Sequence, residues 1–155
     1  MTIDSTEAAL RAETLRLASS ALGTTLTDPS PLGGSGRSIV CRARTSTGPD
    51  SGTRLDPGAS VIVKRFVADP VPSEFARERI GLGSLAHTPT LLASDPAHGL
   101  LVMGDLGDGP TLADLLLGDS PRTAIEGAGG WAEALGEMVG STYSVVDAVT
   151  TELDR

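Results

Sequence analysis

A lysine and a glutamate are the residues with the most specific chemical potential in this chain. Lys64 is the only lysine, and every other basic residue is an arginine. It lies in VIVKRF, residues 61–66, whose β-branched and aromatic side chains predict a short, largely buried strand. Lysine is a compact point charge, whereas arginine is a planar fork that needs more room. A lysine in this strand therefore favours a narrow site facing a phosphate; the alternative is one chance survivor in an arginine-rich composition.

A carboxylate occupies an apolar helix face shortly after this strand. Phe75, Leu82 and Leu85 share one face of a helix predicted over residues 73–86, and Glu78 falls on the same face. Two charges of opposite sign in apolar surroundings are each costly unless they meet. We therefore predict a Lys64–Glu78 ion pair; the alternative is that Glu78 lies at the edge of the stripe and reaches solvent.

A glycine-rich turn, GGSG at residues 33–36, lies between two predicted strands. This context argues against a P-loop, because that loop requires a helix N-terminus and its own Gly-Lys-Ser/Thr. A glycine hairpin can instead bring backbone N–H groups close to phosphates, because no Cβ intervenes. Taken alone, such a turn is also compatible with an ordinary connection between strands.

The elements that must position these residues predict an α+β domain. The predicted order is one helix, three strands, one helix, two strands and then further helices. Connections of hairpin type favour a five-stranded antiparallel sheet with the 73–86 helix against one face. The last predicted helix carries an apolar stripe formed by Trp131, Leu135, Met138 and Val145. A helix is predicted at residues 4–22, and a strand, glycine turn and strand follow within residues 26–44. Further elements are predicted at residues 61–66, 73–86, 90–95, 99–103, 111–117 and from 121 onward.

Composition excludes several classes of partner. The net charge of −8 argues against a nucleic-acid backbone, and 3% aromatic residues argue against base stacking. Two histidines and one cysteine, far apart in sequence, give no metal-site spacing. The start, MTIDSTEAAL, has no features of a signal peptide, and no apolar run approaches the length of a membrane span. These observations predict a cytoplasmic protein with no membrane anchor.

Five segments, in order, make the chain resemble the aminoglycoside phosphotransferase family, which has a protein-kinase-like fold. The resemblance spans roughly residues 26 to 142. It implies a nucleotide-binding N-lobe over residues 1–106, followed over residues 107–155 by the linker and first helices of a C-lobe. The segments are LGGSGRSIVCRAR, VIVKRF, EFARERIGLGSL, LLVMGDLGDGPTLADLLLG and WAEALGEMVGST.

The resemblance implies a role for each matching residue. Lys64 would hold the α- and β-phosphates of ATP or GTP bound with Mg²⁺, and Glu78 would orient Lys64. The glycine loop would cover the phosphates with Gly34, Ser35 and Gly36. Val40 and Ile62 would contact one face of the adenine. The edge of the adenine would be contacted by Met103 and by the backbone of Gly104, Asp105 and Leu106. The spacing departs from a full G-x-G-x-x-G, so the register of the glycine loop stays open.

The family's catalytic loop, H-x-D-x-x-x-x-N, does not occur in this sequence. His87 is followed by Thr-Pro and His98 by Gly-Leu. The expected function is therefore the nucleotide-binding part of a small-molecule kinase, with no catalytic or metal-binding residue in this chain and no activity alone. Self-association is expected through the helix from Trp131. The alternatives are a non-catalytic nucleotide- or protein-binding module of kinase-like fold, and a plain α+β domain in which the Lys64–Glu78 pair is structural.

Overall fold

A computed structural model describes residues 3–33, 37–46, 55–67 and 73–153. The predicted order of elements is confirmed, with a short 3-10 turn at Pro96–His98 joining the last two strands. The helices are α1 (Ile3–Leu22), α2 (Ser73–Ser84), α3 (Leu112–Leu117) and α4 (Pro121–Leu153). The strands are β1 (Leu26–Gly33), β2 (Ser38–Thr45), β3 (Ser60–Phe66), β4 (Leu91–Asp95) and β5 (Leu100–Gly104).

The five strands form one antiparallel sheet, as predicted, in the order β1-β2-β3-β5-β4. Strand β3, which carries Lys64, is therefore central and is paired on both sides. Its register places Val40 of β2 and Leu101 of β5 directly opposite Lys64. Residues paired across neighbouring strands point to the same face, so the register decides which side chains share a face with the lysine.

The hydrophobic core lies on the face opposite Lys64. Odd-numbered residues of β3, Val61 and Val63, are fully buried there. Leu17, Ala18 and Leu22 of α1 pack against them, and α1 contacts all five strands. Other core members are Leu26, Cys41, Ala43, Leu100 and Val102.

The lone cysteine belongs to this core, as its apolar sequence context predicts. Cys41 is fully buried and forms no disulfide. Burial raises the pKa of its thiol, although the positive charge of Arg11 acts in the opposite direction. The thiol is therefore a core side chain and not a reactive group.

The predicted 73–86 helix, α2, meets the Lys64 face of the sheet through side chains. The sequence did not indicate which element covers the core face, and the N-terminal helix α1 does so. Helix α2 ends at Ser84 and contributes individual side chains, Phe75 and Glu78, to contacts with β3. Local periodicity identifies an apolar helix face, but it does not identify which sheet face that side will meet.

The chain forms two compact units. The first contains residues 1–79 and 89–105, with α1, the sheet and the first half of α2. The second contains residues 80–88 and 106–155, with α3 and α4.

Within the second unit, Gly127 of α4 permits close packing of Leu115, since a Cβ at this glycine would lie 2.7 Å from the Leu115 Cδ1 atom. The glycines in the first turns of α4 do not interrupt the helix, which runs from Pro121 to Leu153.

Candidate functional site

The predicted ion pair between β3 and α2 is formed. The Nζ atom of Lys64 lies 2.5 Å from Oε2 of Glu78 and donates a hydrogen bond to it. The lysine side chain is 24% exposed and that of the glutamate 31%. The pair is thus partly screened by protein but still reached by solvent, which leaves the lysine accessible to a ligand.

Both phenylalanines of the chain lie beside this pair. The ring of Phe66, two residues after Lys64 on the same strand face, lies 4.8 Å from the Lys64 Nζ atom. Phe75 of α2 meets Phe66 edge to face, with ring centroids 6.1 Å apart and an interplanar angle of 86°. Two contacts therefore join β3 to α2: an ion pair and an aromatic pair, three residues apart along the helix. The ammonium group over the ring adds a cation–π attraction within β3.

A cavity of about 440 Å³ opens at the Lys64–Glu78 pair. Its lining brings together three cationic side chains, those of Arg37, Lys64 and Arg77, and two carboxylates, those of Glu74 and Glu78. Ser38 and Phe66 complete the lining. Arg37 Nη1 also lies 3.2 Å from Glu74 Oε1, in an ion pair more exposed than that of Lys64. A small cavity with convergent cations and hydrogen-bond donors is suited to an anionic ligand.

Three of the predicted base-contacting residues lie on the Lys64 face of the sheet. Val40 pairs with Lys64, and in the neighbouring row Ile62 pairs with Met103. Val40 and Ile62 are partly exposed, whereas Met103 is 8% exposed. The two rows therefore present apolar side chains next to the lysine, at adjacent steps along the strands.

The main chain at the end of β5 and just after it is only partly available for contacts with a ligand. The Gly104 N–H group donates to the Thr90 carbonyl at 2.8 Å, so it is already engaged. Asp105 follows at the end of the first unit, and its side chain is only 8% exposed. Leu106 belongs to the second unit and is 80% exposed.

The predicted glycine loop lies outside the described residues. Gly34, Ser35 and Gly36 fall between β1 and β2 in the sequence. Arg37, which follows them directly, lines the cavity. The start of β2 thus lies at the cavity.

Sequence reasoning missed several residues of this site. Arg37 and Glu74 line the cavity, and Phe66 pairs with Phe75. Both features depend on the approach of α2 to β3, which the sequence pattern does not show. A further group, Arg42, Ser60 and Asp105, forms a polar cluster on the same sheet face. The alternation of Arg42 and Arg44 with buried Cys41 and Ala43 reads as a solvated strand face, and this pattern holds no signal for a distant partner.

The described parts of the chain contain no cluster of three or more His, Cys, Asp or Glu side chains able to hold a metal ion. Among the same residues, no helix has the length and apolar character needed to cross a membrane. What the arrangement offers chemically is a cation held by a carboxylate, at the edge of a small, positively lined cavity.

Comparison with known proteins gives no assignment: no protein-family model matches this chain, and no curated protein sequence matches it significantly.

Proposed function

We propose that this chain is the nucleotide-binding N-terminal part of a small-molecule kinase resembling the aminoglycoside phosphotransferases. The complete enzyme would transfer the γ-phosphate of ATP or GTP to a hydroxyl group of a small molecule. The observation that carries the proposal is the Lys64–Glu78 pair, 2.5 Å apart, on the face of an antiparallel sheet opposite its main core.

Lys64 has the donors needed for this role. An ammonium group carries three N–H donors, and the hydrogen bond to Glu78 uses one of them. Two remain for phosphate oxygens. Glu78 fixes the direction of the side chain, so that less rotational freedom is lost when a phosphate binds.

The spacing of the sheet fits a ligand with a base at one end and phosphates at the other. Along a strand, successive residues on one face are about 7 Å apart. The row of Ile62 and Met103 is one such step from the row of Lys64, and Ser60 is a further step away. An extended nucleotide spans comparable steps, with its base over the apolar row and its phosphates at the lysine.

The local charge also favours a phosphate ligand. The chain carries a net charge of −8, and yet the cavity lining contains one more cation than carboxylates, three against two. An acidic protein that gathers arginines and its single lysine in one cavity offers local attraction for an anion despite the overall repulsion.

In this proposal the chain's own residues bind and orient the nucleotide. Magnesium would accompany the nucleotide and neutralise charge on its phosphates. The groups that hold this metal and orient the acceptor hydroxyl would come from an H-x-D-x-x-x-x-N segment that this sequence does not contain. Residues 1–155 alone are therefore proposed to bind nucleotide without transferring phosphate.

The test is calorimetric titration of the purified chain with Mg-ATP. We expect measurable binding by the wild type and at least about tenfold weaker binding by Lys64→Met, equivalent to about 1.4 kcal/mol. Arg122→Met is the matched control, because it also replaces a cation by methionine, but at a side chain that is 88% exposed in α4. No binding by the wild type, or equal loss in both variants, would contradict the proposal.

A non-catalytic nucleotide- or protein-binding module is the competing function. It is favoured by the lack of the catalytic loop motif in this sequence, and it shares the same nucleotide site. Reading the source DNA downstream of codon 155 separates the two: an H-x-D-x-x-x-x-N segment in frame supports the kinase, and its absence supports the module.

A further inference from the structure

The carboxylate of Asp105 is held by two side chains from neighbouring strands. Arg42 approaches it in a two-point arrangement, with Nε 2.6 Å from Oδ2 and Nη2 donating to Oδ1 at 3.1 Å. Ser60 donates its hydroxyl hydrogen to Oδ2 at 2.6 Å. The Asp105 side chain is 8% exposed and that of Arg42 is 22% exposed. We call this group of three residues the Asp105 cluster.

The register places the Asp105 cluster next to the apolar row of the sheet. Arg42 on β2 pairs with Ile62 on β3, and Ile62 in turn pairs with Met103 on β5. Asp105 comes two residues after Met103, immediately beyond β5. The cluster therefore ties the main chain after β5 to β2 and β3, beside Ile62 and Met103 and away from Lys64.

Burying the Asp105 carboxylate costs free energy unless its partners Arg42 and Ser60 are present. A carboxylate so far removed from water needs its charge compensated, and loss of one partner leaves the other uncompensated. The planar guanidinium donates a hydrogen bond from Nη2 to Oδ1 and also places Nε close to Oδ2 as an ion-pair contact. A single ammonium cannot meet the carboxylate at two points in this way, so the guanidinium also fixes direction. The cluster thus holds the backbone of residues 104–105 in one position relative to the sheet.

We propose that Arg42 and Ser60 are positioning residues for the nucleotide base. By holding the Asp105 carboxylate, they fix the main chain that borders the base, while Asp105 contributes its backbone and not its side chain. This inference rests on the proposed function, and it assigns recognition of the base and recognition of the phosphates to separate groups of side chains: the Asp105 cluster and the Lys64–Glu78 pair.

Two probes separate these groups. Mg-ATP contains a base and phosphates, whereas inorganic tripolyphosphate with magnesium contains phosphates alone. We expect Arg42→Met to weaken Mg-ATP binding about tenfold and to leave tripolyphosphate binding within about twofold of wild type. Lys64→Met should weaken the binding of both probes. Arg42→Lys keeps the charge but not the two-point contact, so it should restore only part of the Mg-ATP affinity.

Arg44→Met is the matched control for Arg42→Met. Arg44 lies two residues further on the same strand and the same face, is exposed, and donates to the Gly58 carbonyl at 3.3 Å. Its replacement should leave the affinity for both probes unchanged. Hydrogen exchange of the peptide covering residues 100–107, measured without ligand, should become faster in Arg42→Met than in Arg44→Met.

The outcomes are distinct. Wild type that binds neither probe contradicts the proposed function, and with it the role in base recognition. Wild type that binds both probes, with Arg42→Met losing neither or losing both equally, leaves the nucleotide site standing and overturns the positioning role. A selective loss of Mg-ATP affinity together with faster exchange after β5 is the result that supports the inference.

Discussion

Lys64 of β3 and Glu78 of α2 form an ion pair with 2.5 Å between Nζ and Oε2, and Phe66 and Phe75 meet beside it. The chain's single lysine and both of its phenylalanines thus converge on one junction between a central strand and a helix. The junction is linked by charge and by aromatic contact. Substitutions there separate ligand binding from stability.

Lys64→Arg should weaken nucleotide binding although the charge is preserved. A planar guanidinium cannot occupy the position of a compact ammonium that lies between the Glu78 carboxylate and the Phe66 ring. The measurement is the Mg-ATP dissociation constant of the wild type and of Lys64→Arg, with Arg122→Lys as the reverse exchange at an exposed site. Equal affinities for wild type and Lys64→Arg would show that the site does not require lysine and that Lys64 is a chance survivor in an arginine-rich composition.

Lys64→Met should fold nearly as well as the wild type. Glu78 is 31% exposed, so its carboxylate regains water when the lysine is removed, and we expect a loss of about 1 kcal/mol or less. Urea unfolding followed by circular dichroism measures this change, and Lys64→Met/Glu78→Leu should recover most of it. A loss of several kcal/mol in the single variant would mean that the pair is effectively buried and mainly structural.

Gly129→Ala should stabilise α4 by up to about 1 kcal/mol, since alanine is the better helix former and a Cβ at this glycine meets nothing within 4 Å. Gly127→Ala should gain less, or lose stability, because its Cβ would lie 2.7 Å from the Leu115 Cδ1 atom. Thermal unfolding of the two variants compares the same chemical change two residues apart. Equal gains would contradict the close packing of α3 on α4.

Thr111→Ala should raise the pKa of Asp114. Hydrogen bonds from the Thr111 side chain and then from its backbone N–H lower that pKa below its ordinary value of 3.8. Because the folded-state pKa is depressed, the stabilisation is present above pH 3.8 and is lost as the pH falls through the folded-state pKa. The change would be measured by NMR from the carboxyl chemical shift of Asp114, over a range of about pH 2 to 6 that brackets its titration.

Thr150→Ala provides the control for this titration, because the Thr150 hydroxyl donates to the Val146 carbonyl within α4 and has no contact with Asp114. It should leave the Asp114 titration unchanged. An unaltered Asp114 pKa in Thr111→Ala would contradict the capping box at the start of α3.

Residues 1–155 should self-associate through α4. Trp131, Leu135, Val139 and Tyr143 recur every four residues and are between 40% and 83% exposed. An exposed apolar stripe of this length favours burial against a second copy, which presents the same stripe. Sedimentation velocity should detect a dimer or larger species, and Val139→Glu should shift it toward monomer.

Gly130→Glu tests whether added charge alone has this effect. Residue 130 lies on about the opposite side of the helix from residue 139, at about 100° per residue, and a Cβ at Gly130 meets nothing within 4 Å. This variant should keep the association of the wild type. A monomeric wild type, or equal dissociation by both variants, would rule out the stripe as the contact surface.

The sequence by itself determined the local elements and one long-range contact. Val61, Ile62 and Val63 specify a strand because β-branched side chains fit a pleated, half-buried surface. Thr111 begins a helix because its hydroxyl and the Asp114 carboxylate satisfy open backbone N–H groups reciprocally. The Lys64–Glu78 pair was predictable because each charge lies in apolar surroundings and there is one lysine for the glutamate to meet.

Only the tertiary structure decided which helix covers the sheet and which side chains surround the site. The core face belongs to α1 because Leu17, Ala18 and Leu22 fit the face formed by Val61 and Val63. The pairing of Arg42 with Asp105 joins residues 63 positions apart. In a strand whose polar and apolar residues alternate, the pattern assigns a charged side chain to one face of the sheet. It predicts a solvent-facing residue whether or not a distant carboxylate reaches that side chain. Register across β2, β3 and β5 supplies the partner, and register is a property of the assembled sheet.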